Sequence, residues 1–329
     1  MPAPDREEAR LEIRPDEKNL TAEQQGEELL ARKPSRGRHG GKSTLAPYLF
    51  LLPFFLIYLA FMIYPVLAAL RLSFYESSGF GGDTFTGLSN YARLVQDSRY
   101  LEALKNTTLY ALASVFILSP LALLVAVAIR SFVVPTATFK SFYRIVFFLP
   151  FITSFVVIAL MFNLVFDNEF GLLNNALSAL GLPTLNWLRN ERVALLAIIL
   201  VGIWTYLGIN ALYFLAGLQN IPEEVIEAAR VDGANRFQVF WRVTLPLLRP
   251  VILFVVVQAT IFSYQIFEIP FLLTGGGPSD ATLTLAVYLY EVGFREFDRG
   301  YASAIGYSMA IIAIVLAAVQ LLAARRFDR

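Results

Sequence analysis

Six long apolar runs divide this chain, and the stretches between them are short. A membrane-crossing helix needs about 20 mainly apolar residues, and the runs 45–70, 106–129, 145–166, 193–218, 250–273 and 300–324 all reach that length. The fourth run stays apolar as far as Pro222, so its end is expected to emerge into water. In the first run, Pro47, Pro53 and Pro65 are expected to bend the helix. Ala281–Val292 is also apolar but too short to cross, and it ends at Glu291; it reads as an interfacial segment. The expected fold class is an all-α membrane protein with six transmembrane helices over 45–325 and a flexible tail over 1–44. No other stretch is long enough for a soluble domain, and a unit smaller than that tail seldom folds without metal or disulfides.

The most polar stretch between two runs lies at 223–249. Glu223, Glu224, Glu227 and Asp232 alternate there with Arg230, Arg236, Arg242 and Arg249. Asn220-Ile221-Pro222-Glu223-Glu224 has the makings of a helix start: a capping Asn, an early proline, and acids in the first turn. Val225, Ile226 and Ala229 then share a face, and Asp232-Gly233 stops the helix with a residue that tolerates positive φ. Asn235 can cap a second short helix, carrying Phe237, Phe240 and Trp241 through Arg242, before Leu245-Pro246 and Pro250 start the next span. The expected unit is a helix–turn–helix across the membrane surface, with Ala228, Ala229 and Gly233 small enough for another protein to approach. An ordinary amphipathic loop has the same polarity; only spacing separates the two readings.

Composition agrees with the membrane reading. The chain is 57% hydrophobic and 16% charged, against about 45–50% and about 25% for soluble domains, so lipid must cover much of its surface. The absence of cysteine excludes disulfides, Fe–S clusters and thiol nucleophiles. A single histidine, His39, excludes a His-rich metal site, and a net charge of +1 argues against nucleic acid. No cofactor and no metal are expected. Gly40-Gly41-Lys42-Ser43-Thr44 resembles the end of a phosphate-binding loop, but the required first glycine is Arg36. The basic stretch 32–42 reads instead as a flank at lipid headgroups. No secretory pattern precedes Leu45, so no cleavage is expected. With the N-terminus inside, inner segments hold 15 Lys and Arg and outer segments 8. Positive residues favour the inside, so both termini and the 223–249 loop are expected in the cytoplasm. The segment 130–144, with Arg130, Lys140 and Arg144 and no acid, is the clearest vote.

Spacing then sharpens the loop. Glu227-Ala228-Ala229 is followed by three residues, Gly233, nine residues, and Val243-Thr244-Leu245-Pro246. This resembles the EAA signature of ABC importer permease subunits: Glu-Ala-Ala, three residues, Gly, nine residues, an aliphatic residue, any residue, Leu-Pro. Gly87-Leu88-Ser89-Asn90-Tyr91, Phe147-Phe148-Leu149-Pro150 and Phe170-Gly171-Leu172-Leu173-Asn174 also look like that family. Leu273-Thr274-Gly275-Gly276-Gly277-Pro278 is similar to its carbohydrate branch, which holds the maltose and glycerol-phosphate permeases. The likeness covers roughly 45–325. It implies a type I importer permease in a bacterial inner membrane whose loop docks into a cleft of a separate ATPase. Glu227, Ala228, Ala229 and Gly233 would form the coupling helix, and Leu245-Pro246 would redirect the chain into the span. The implied partners are a homologous second permease subunit (a heterodimer), two copies of an ATP-binding subunit and an extracytoplasmic solute-binding protein. The chain itself is then no enzyme.

Polar residues within spans cost free energy and usually face the bundle or a water-filled cavity. In the fifth run Gln258, Ile261, Gln265 and Glu268 recur every three or four residues, hence on one helix face, with Ser263 and Tyr264 beside them. The fourth offers Trp204, Thr205, Tyr206 and Asn210. Aromatic rings stack on sugar C–H faces, and amides bind hydroxyls. Tyr206, Asn210, Tyr264, Gln265 and Glu268 are therefore the candidate substrate pathway, with interhelical hydrogen bonding as the competing reading. Glu268 lies near the outer end of its span, which suits a hydrated gate or partner contact better than a proton relay. Tyr301, Ser303, Tyr307 and Ser308 in the sixth span read as helix packing, and the sequon Asn106-Thr107-Thr108 as chance or a helix cap. The expected function is the permease subunit of a sugar importer. A polyol-phosphate importer should show Lys or Arg inside a span, and none is found. An ion-coupled transporter should show broken helices in paired halves and charged residues near mid-membrane, and neither is evident in the sequence; a membrane enzyme should show a His, Asp or Glu cluster, and the single histidine, in the basic flank, argues against it.

Overall fold

The computed structural model describes residues 46–77, 82–131 and 137–327. The expected tail, its basic flank and the Gly40–Thr44 stretch lie outside the described residues. The chain divides into two units, up to Met62 and from Ile63. In the first, α1 (Ala46–Tyr58) contains Pro53 and leads into a π-turn, Leu59–Ile63. Its apolar side chains point outward, Phe50 being 86% exposed.

The second unit begins with α2 (Tyr64–Leu72) and a two-stranded antiparallel ribbon, β1 (Tyr75–Glu76) and β2 (Thr84–Phe85), with Tyr75 opposite Phe85. Helices α3 (Ser89–Gln96), α4 (Ser98–Ala113) and α5 (Ser119–Ser131) follow. Next come α6 (Ala137–Ile152), α7 (Phe155–Val165), α8 (Leu172–Ala179) and the long α9 (Ala194–Gln219). The polar stretch forms α10 (Glu223–Val231), α11 (Arg236–Val239) and α12 (Leu245–Leu247). The chain closes with α13 (Arg249–Tyr264), α14 (Glu268–Thr274), α15 (Leu285–Tyr290) and α16 (Arg299–Phe327). Four helices are long and apolar enough to cross a membrane, and up to six if each of two bent pairs is one span.

Proline shapes these helices without ending them. A proline inside a helix lacks an N–H, and its ring collides with the carbonyl four residues back. Before Pro120 the helix widens into a π-turn, Ser114–Leu118, and Ser119 bonds the Ser114 carbonyl through both its N–H and its Oγ (2.9 Å). The Leu245 N–H likewise reaches back to the Phe240 carbonyl just before Pro246. The turn Leu59–Ile63 stands in the same place before Pro65. One extra residue in the ring moves the offending carbonyl aside, so the ladder continues.

Two of the expected spans are interrupted outright. The third bends by 104° between α6 and α7, at Thr153-Ser154. The fifth stops at Tyr264 and resumes at Glu268. The second starts earlier than its apolar run: α4 begins at Ser98, because Asp97 caps it, accepting the N–H groups of Arg99 (2.9 Å) and Tyr100 (3.3 Å). Arg99, Glu102 and Lys105 hide that first stretch from a hydropathy reading. Asn106 neither caps a helix nor is open to modification. It is 2% exposed and donates to the carbonyls of Asp280 (2.9 Å) and Leu283 (3.1 Å).

The segment 281–292 is not interfacial. Leu283, Leu285, Val287 and Val292 are fully buried with residues of α4 and α16. Its polar ends are fixed by one charged cluster. The second oxygen of Asp97 accepts the hydroxyls of Tyr288 and of Tyr301 (2.6 Å). Arg99 forks onto Asp280 (2.9 and 3.0 Å) and reaches Glu291 (2.8 Å). Arg93 pairs with Asp298 (2.7 Å) and lies 3.9 Å above the Tyr301 ring. Tyr100 donates to Ser308 (2.9 Å) and Tyr307 to the Val66 carbonyl (2.5 Å), so these sixth-span residues do serve packing.

Elsewhere helices meet through small residues. Ala122 and Ala126 of α5 are fully buried in a cluster with Ala211, Phe214 and Leu218 of α9. At Gly208 the α9 backbone passes α6 so closely that a Cβ would stand 1.7 Å from the Phe147 carbonyl oxygen. Such close approach is the usual basis of helix association in lipid.

Burial pushes the Asp97 carboxyl up, but the bonds from Tyr288, Tyr301 and two backbone N–H groups outweigh it and hold it below its ordinary value. A depressed acid stabilises the fold above its unfolded value and loses that contribution as pH falls through its folded one. Protection of the amides across 280–301, taken relative to their intrinsic exchange rate at each pH, is therefore expected to fall as the medium is acidified below about pH 4. Asp97→Asn should show the lower protection already at neutral pH; protection as high as the parent's would remove Asp97 from this role. Gly208→Ala is expected to cost about 1–3 kcal/mol by overpacking, read as a lowered midpoint of thermal unfolding in detergent.

Candidate functional site

The two interruptions open on one cavity of about 450 Å³. Phe151 and Phe155, on either side of the α6–α7 bend, form part of its wall, and Gln265, Ile266 and Glu268, at the α13–α14 break, form another. Between them α9 contributes Tyr206, Asn210 and Tyr213, and α4 with its π-turn contributes Tyr110 and Ser114. The Phe151 and Tyr206 rings lie 6.3 Å apart. Asn210 donates to the Tyr206 carbonyl (2.8 Å), and Gln258 donates to the Tyr213 hydroxyl (3.2 Å). The Gln258 Oε1 is buried with no partner among the described residues. Glu268 is the one carboxylate in the lining, which holds no Lys or Arg.

Four of the five expected pathway residues thus share this cavity: Tyr206, Asn210, Gln265 and Glu268. Tyr264 does not join them. Its ring is 3% exposed on the other side of α13, with its hydroxyl 3.0 Å from that of Thr108. Of the four residues expected on one face, Gln258, Gln265 and Glu268 line the cavity, the last two beyond the end of α13 at Tyr264, while Ile261 lines an adjoining groove that shares Gln258 and Phe262 with it. Trp204 instead packs edge-on against Phe162 (5.2 Å), and Thr205 bonds its own helix at Val201 (2.8 Å). Tyr110, Ser114 and Tyr213 were invisible to the sequence reading, since single polar groups in an apolar helix carry no periodicity.

The polar stretch forms a second site. Pro222, not Asn220, occupies the cap position of α10; Asn220 ends α9. Ile226 and Val239 anchor the unit, 8% and 7% exposed, in a cluster with Phe214, Leu218 and Leu248. Val225 turns outward, leaving Ile226 and half-buried Ala229 as the inner face. Arg130, at the end of α5, donates to the Leu218 carbonyl and so ties α5 to the end of α9. Gly233 has φ +83°, and a Cβ there would meet nothing within 4 Å. The glycine is needed for the left-handed turn, not for internal packing. Asn235 and Gln238 form a reciprocal capping box, both bonds 2.9 Å. Glu227, Ala228 and Gly233 are exposed, beside Phe237 (72%) and Trp241 (52%), whose rings lie 5.9 Å apart. Leu245-Pro246 does not redirect the chain; the helix runs on to Leu247, and the 66° bend into α13 falls at Leu248. Among the described residues no group of three acidic or histidine side chains is placed to hold a metal ion.

Residues 118–329 match the binding-protein-dependent transport system inner membrane component family. The chain belongs to that family. It is 37% identical to the arabinooligosaccharides transport system permease protein AraP of Bacillus subtilis, over 88% of this chain and 93% of that protein. It is 34% identical to the lactose transport system permease protein LacF of Rhizobium radiobacter, over 84% and 93%. Its fold matches a bacterial ABC transporter involved in the import of the acidic polysaccharide alginate, at TM-score 0.75 and 25% identity, over 86% and 96% of the two chains. A further structure of the alginate transporter, also at TM-score 0.75, is a complex with a periplasmic protein bound to an alginate pentasaccharide. As a permease of this family, the chain is a multi-pass inner-membrane component.

Proposed function

We propose that this chain is the membrane-spanning subunit of an ATP-driven importer for a sugar or oligosaccharide, supplying half of the pathway. The observation that carries the reading is the meeting of both span interruptions at one polar-aromatic cavity. Backbone freed from a helix in lipid is tolerated only where it is buried in protein or lines a cavity, so the two breaks mark a place where solute passes. Tyr206, Asn210, Gln265 and Glu268 contact the cargo, and Gln258 and Tyr213 replace Tyr264 in that set. The names of the relatives support a saccharide, since AraP and LacF are named for arabinooligosaccharides and lactose. A lining with one carboxylate and no cation weighs against a phosphorylated or acidic cargo.

In this reading six spans cross the membrane with both termini in the cytoplasm. A homologous second permease completes the pathway, two ATP-binding subunits lie beneath, and an extracytoplasmic solute-binding protein delivers cargo. The exposed residues Glu227, Ala228 and Gly233 seat in the ATPase with half-buried Ala229 behind them, while Ile226 and Val239 carry its movement into α9 and α13. Leu245 and Pro246 continue that helix towards the bend at Leu248.

Uptake by the complex reconstituted in liposomes tests the cargo. ATP-dependent entry of a labelled neutral oligosaccharide is expected, reduced about tenfold by Tyr206→Ala or Asn210→Ala if each removes one buried hydrogen bond or ring contact. Undiminished uptake in both variants would sink the pathway assignment. For coupling, Gly233→Ala meets no clash within the chain but places an L-residue in a left-handed turn, at about 1–2 kcal/mol. It and Glu227→Lys are expected to weaken ATPase binding and to abolish solute-stimulated hydrolysis. Normal assembly and transport in both would refute the docking role.

A further inference from the structure

Helices α2 and α16 flank an apolar groove of about 670 Å³, apart from the cavity above. It opens beside Leu72 and Arg299 and descends along α16 past Ala302 and Gly306 to Ala310. Arg299 is also where the apolar span of α16 begins. From Arg299 to Ala310 a helix rises about 16 Å at ~1.5 Å per residue, which is half of a hydrocarbon core of about 30 Å. The groove is therefore one leaflet deep, with its mouth at headgroup level.

The cations near that mouth are not equivalent. Arg93, Arg99 and Arg295 each pair with an acid: Asp298, Asp280 with Glu291, and Glu291 respectively. Arg299 is exposed; its backbone N–H donates to the Ser77 and Phe297 carbonyls and its carbonyl accepts the Ser303 hydroxyl (2.8 Å), while its guanidinium has no partner among the described residues. Phe294 (66% exposed) and Phe297 (43%) stand at the mouth. Phe297 is held there at φ +61°, a strained conformation for a residue with a side chain. The hydroxyl of Tyr307, lower in the groove, is already spent on the Val66 carbonyl. The floor thus offers apolar contact and the rim the Arg299 guanidinium, without an acid partner among the described residues, while Arg71, next to Leu72, lies over the Tyr75 ring at 5.2 Å.

We propose that this groove binds a phospholipid, with an acyl chain along Ala302, Gly306 and Ala310 and the phosphate on the Arg299 guanidinium. Charge and depth select this occupant over a helix of another subunit, which would fill the groove but leave the cation unmatched. The inference rests only on α2 and α16 lying in a bilayer, so it stands or falls separately from the cargo.

The test is native mass spectrometry of the complex, purified through a tag on this chain and supplied with phosphatidylglycerol, phosphatidylcholine or inorganic phosphate. One phospholipid per copy of the chain is expected to survive detergent exchange, with phosphatidylglycerol preferred and inorganic phosphate unable to displace it. Arg299→Gln should weaken retention about fivefold, the effect of one basic side chain at an anionic surface, and Ala310→Phe should abolish it by filling the groove. Arg295→Gln, whose parent cation is already paired, should change it little. Equal retention in all variants, or equal loss from Arg295→Gln and Arg299→Gln, overturns the proposal. A photo-crosslinker at position 310 that captures another subunit instead of lipid overturns it as well.

Discussion

Every backbone N–H and C=O within a bilayer must find its partner inside the protein, and the architecture of this chain follows from how it meets that demand. Where a proline removes a donor, the helix widens by one residue and keeps its ladder, as before Pro120 and Pro246. Where the chain leaves the helix altogether, at Thr153-Ser154 and at Gln265–Phe267, both departures border the same cavity. The two responses have different consequences. A π-turn preserves a span; a break exposes polar groups, and those groups are what a hydrophilic solute can use.

Rigidity is distributed accordingly. The Asp97 cluster ties the start of α4 to α15 and α16 through a carboxylate that accepts four hydrogen bonds and two arginines that each find an acid. Close backbone packing at Gly208 fixes α9 against α6. By contrast, two walls of the cavity come from the ends of broken segments, α6 and α7 on one side and α13 and α14 on another, where few ladder bonds resist a change of angle. A fold with stiff helix pairs and compliant breaks can alter the cavity without unfolding a span. The helical loop, anchored through Ile226 and Val239 to the cluster that holds α9 and α13, lies at the far end of the same helices.

Much of this was legible in advance because it depends on local chemistry. Apolar runs pointed to the four helices long and apolar enough to cross a membrane, since length and hydropathy alone decide what can sit in lipid. The turn at Gly233 and the cap at Asn235 were readable because each needs a particular residue type for a local reason: a positive φ in one case, a side-chain acceptor in the other. The spacing around Glu227, Gly233 and Pro246 pointed to the family to which the chain belongs. Where neighbours in space decide, the sequence misled. Ala281–Val292 has the composition of an interfacial segment but is buried, because Arg99 and Asn106, some 180 positions away, take up its polar ends. Tyr264 has the same polarity as Gln265 and faces the opposite way, because the helix ends between them.

The sequence by itself determined the number of apolar runs, the polarity of the loop and the residue types available to a pathway, because these depend on transfer free energies and backbone preferences that each residue carries with it. Only the tertiary structure decided which of those polar residues meet. Hydrogen bonds within a helix are the same wherever its side chains point, so nothing local foretold that the two breaks would converge on Tyr206 and Asn210. That convergence is set by how α4, α6, α9 and α13 pack, down to a single contact such as Gly208 against Phe147.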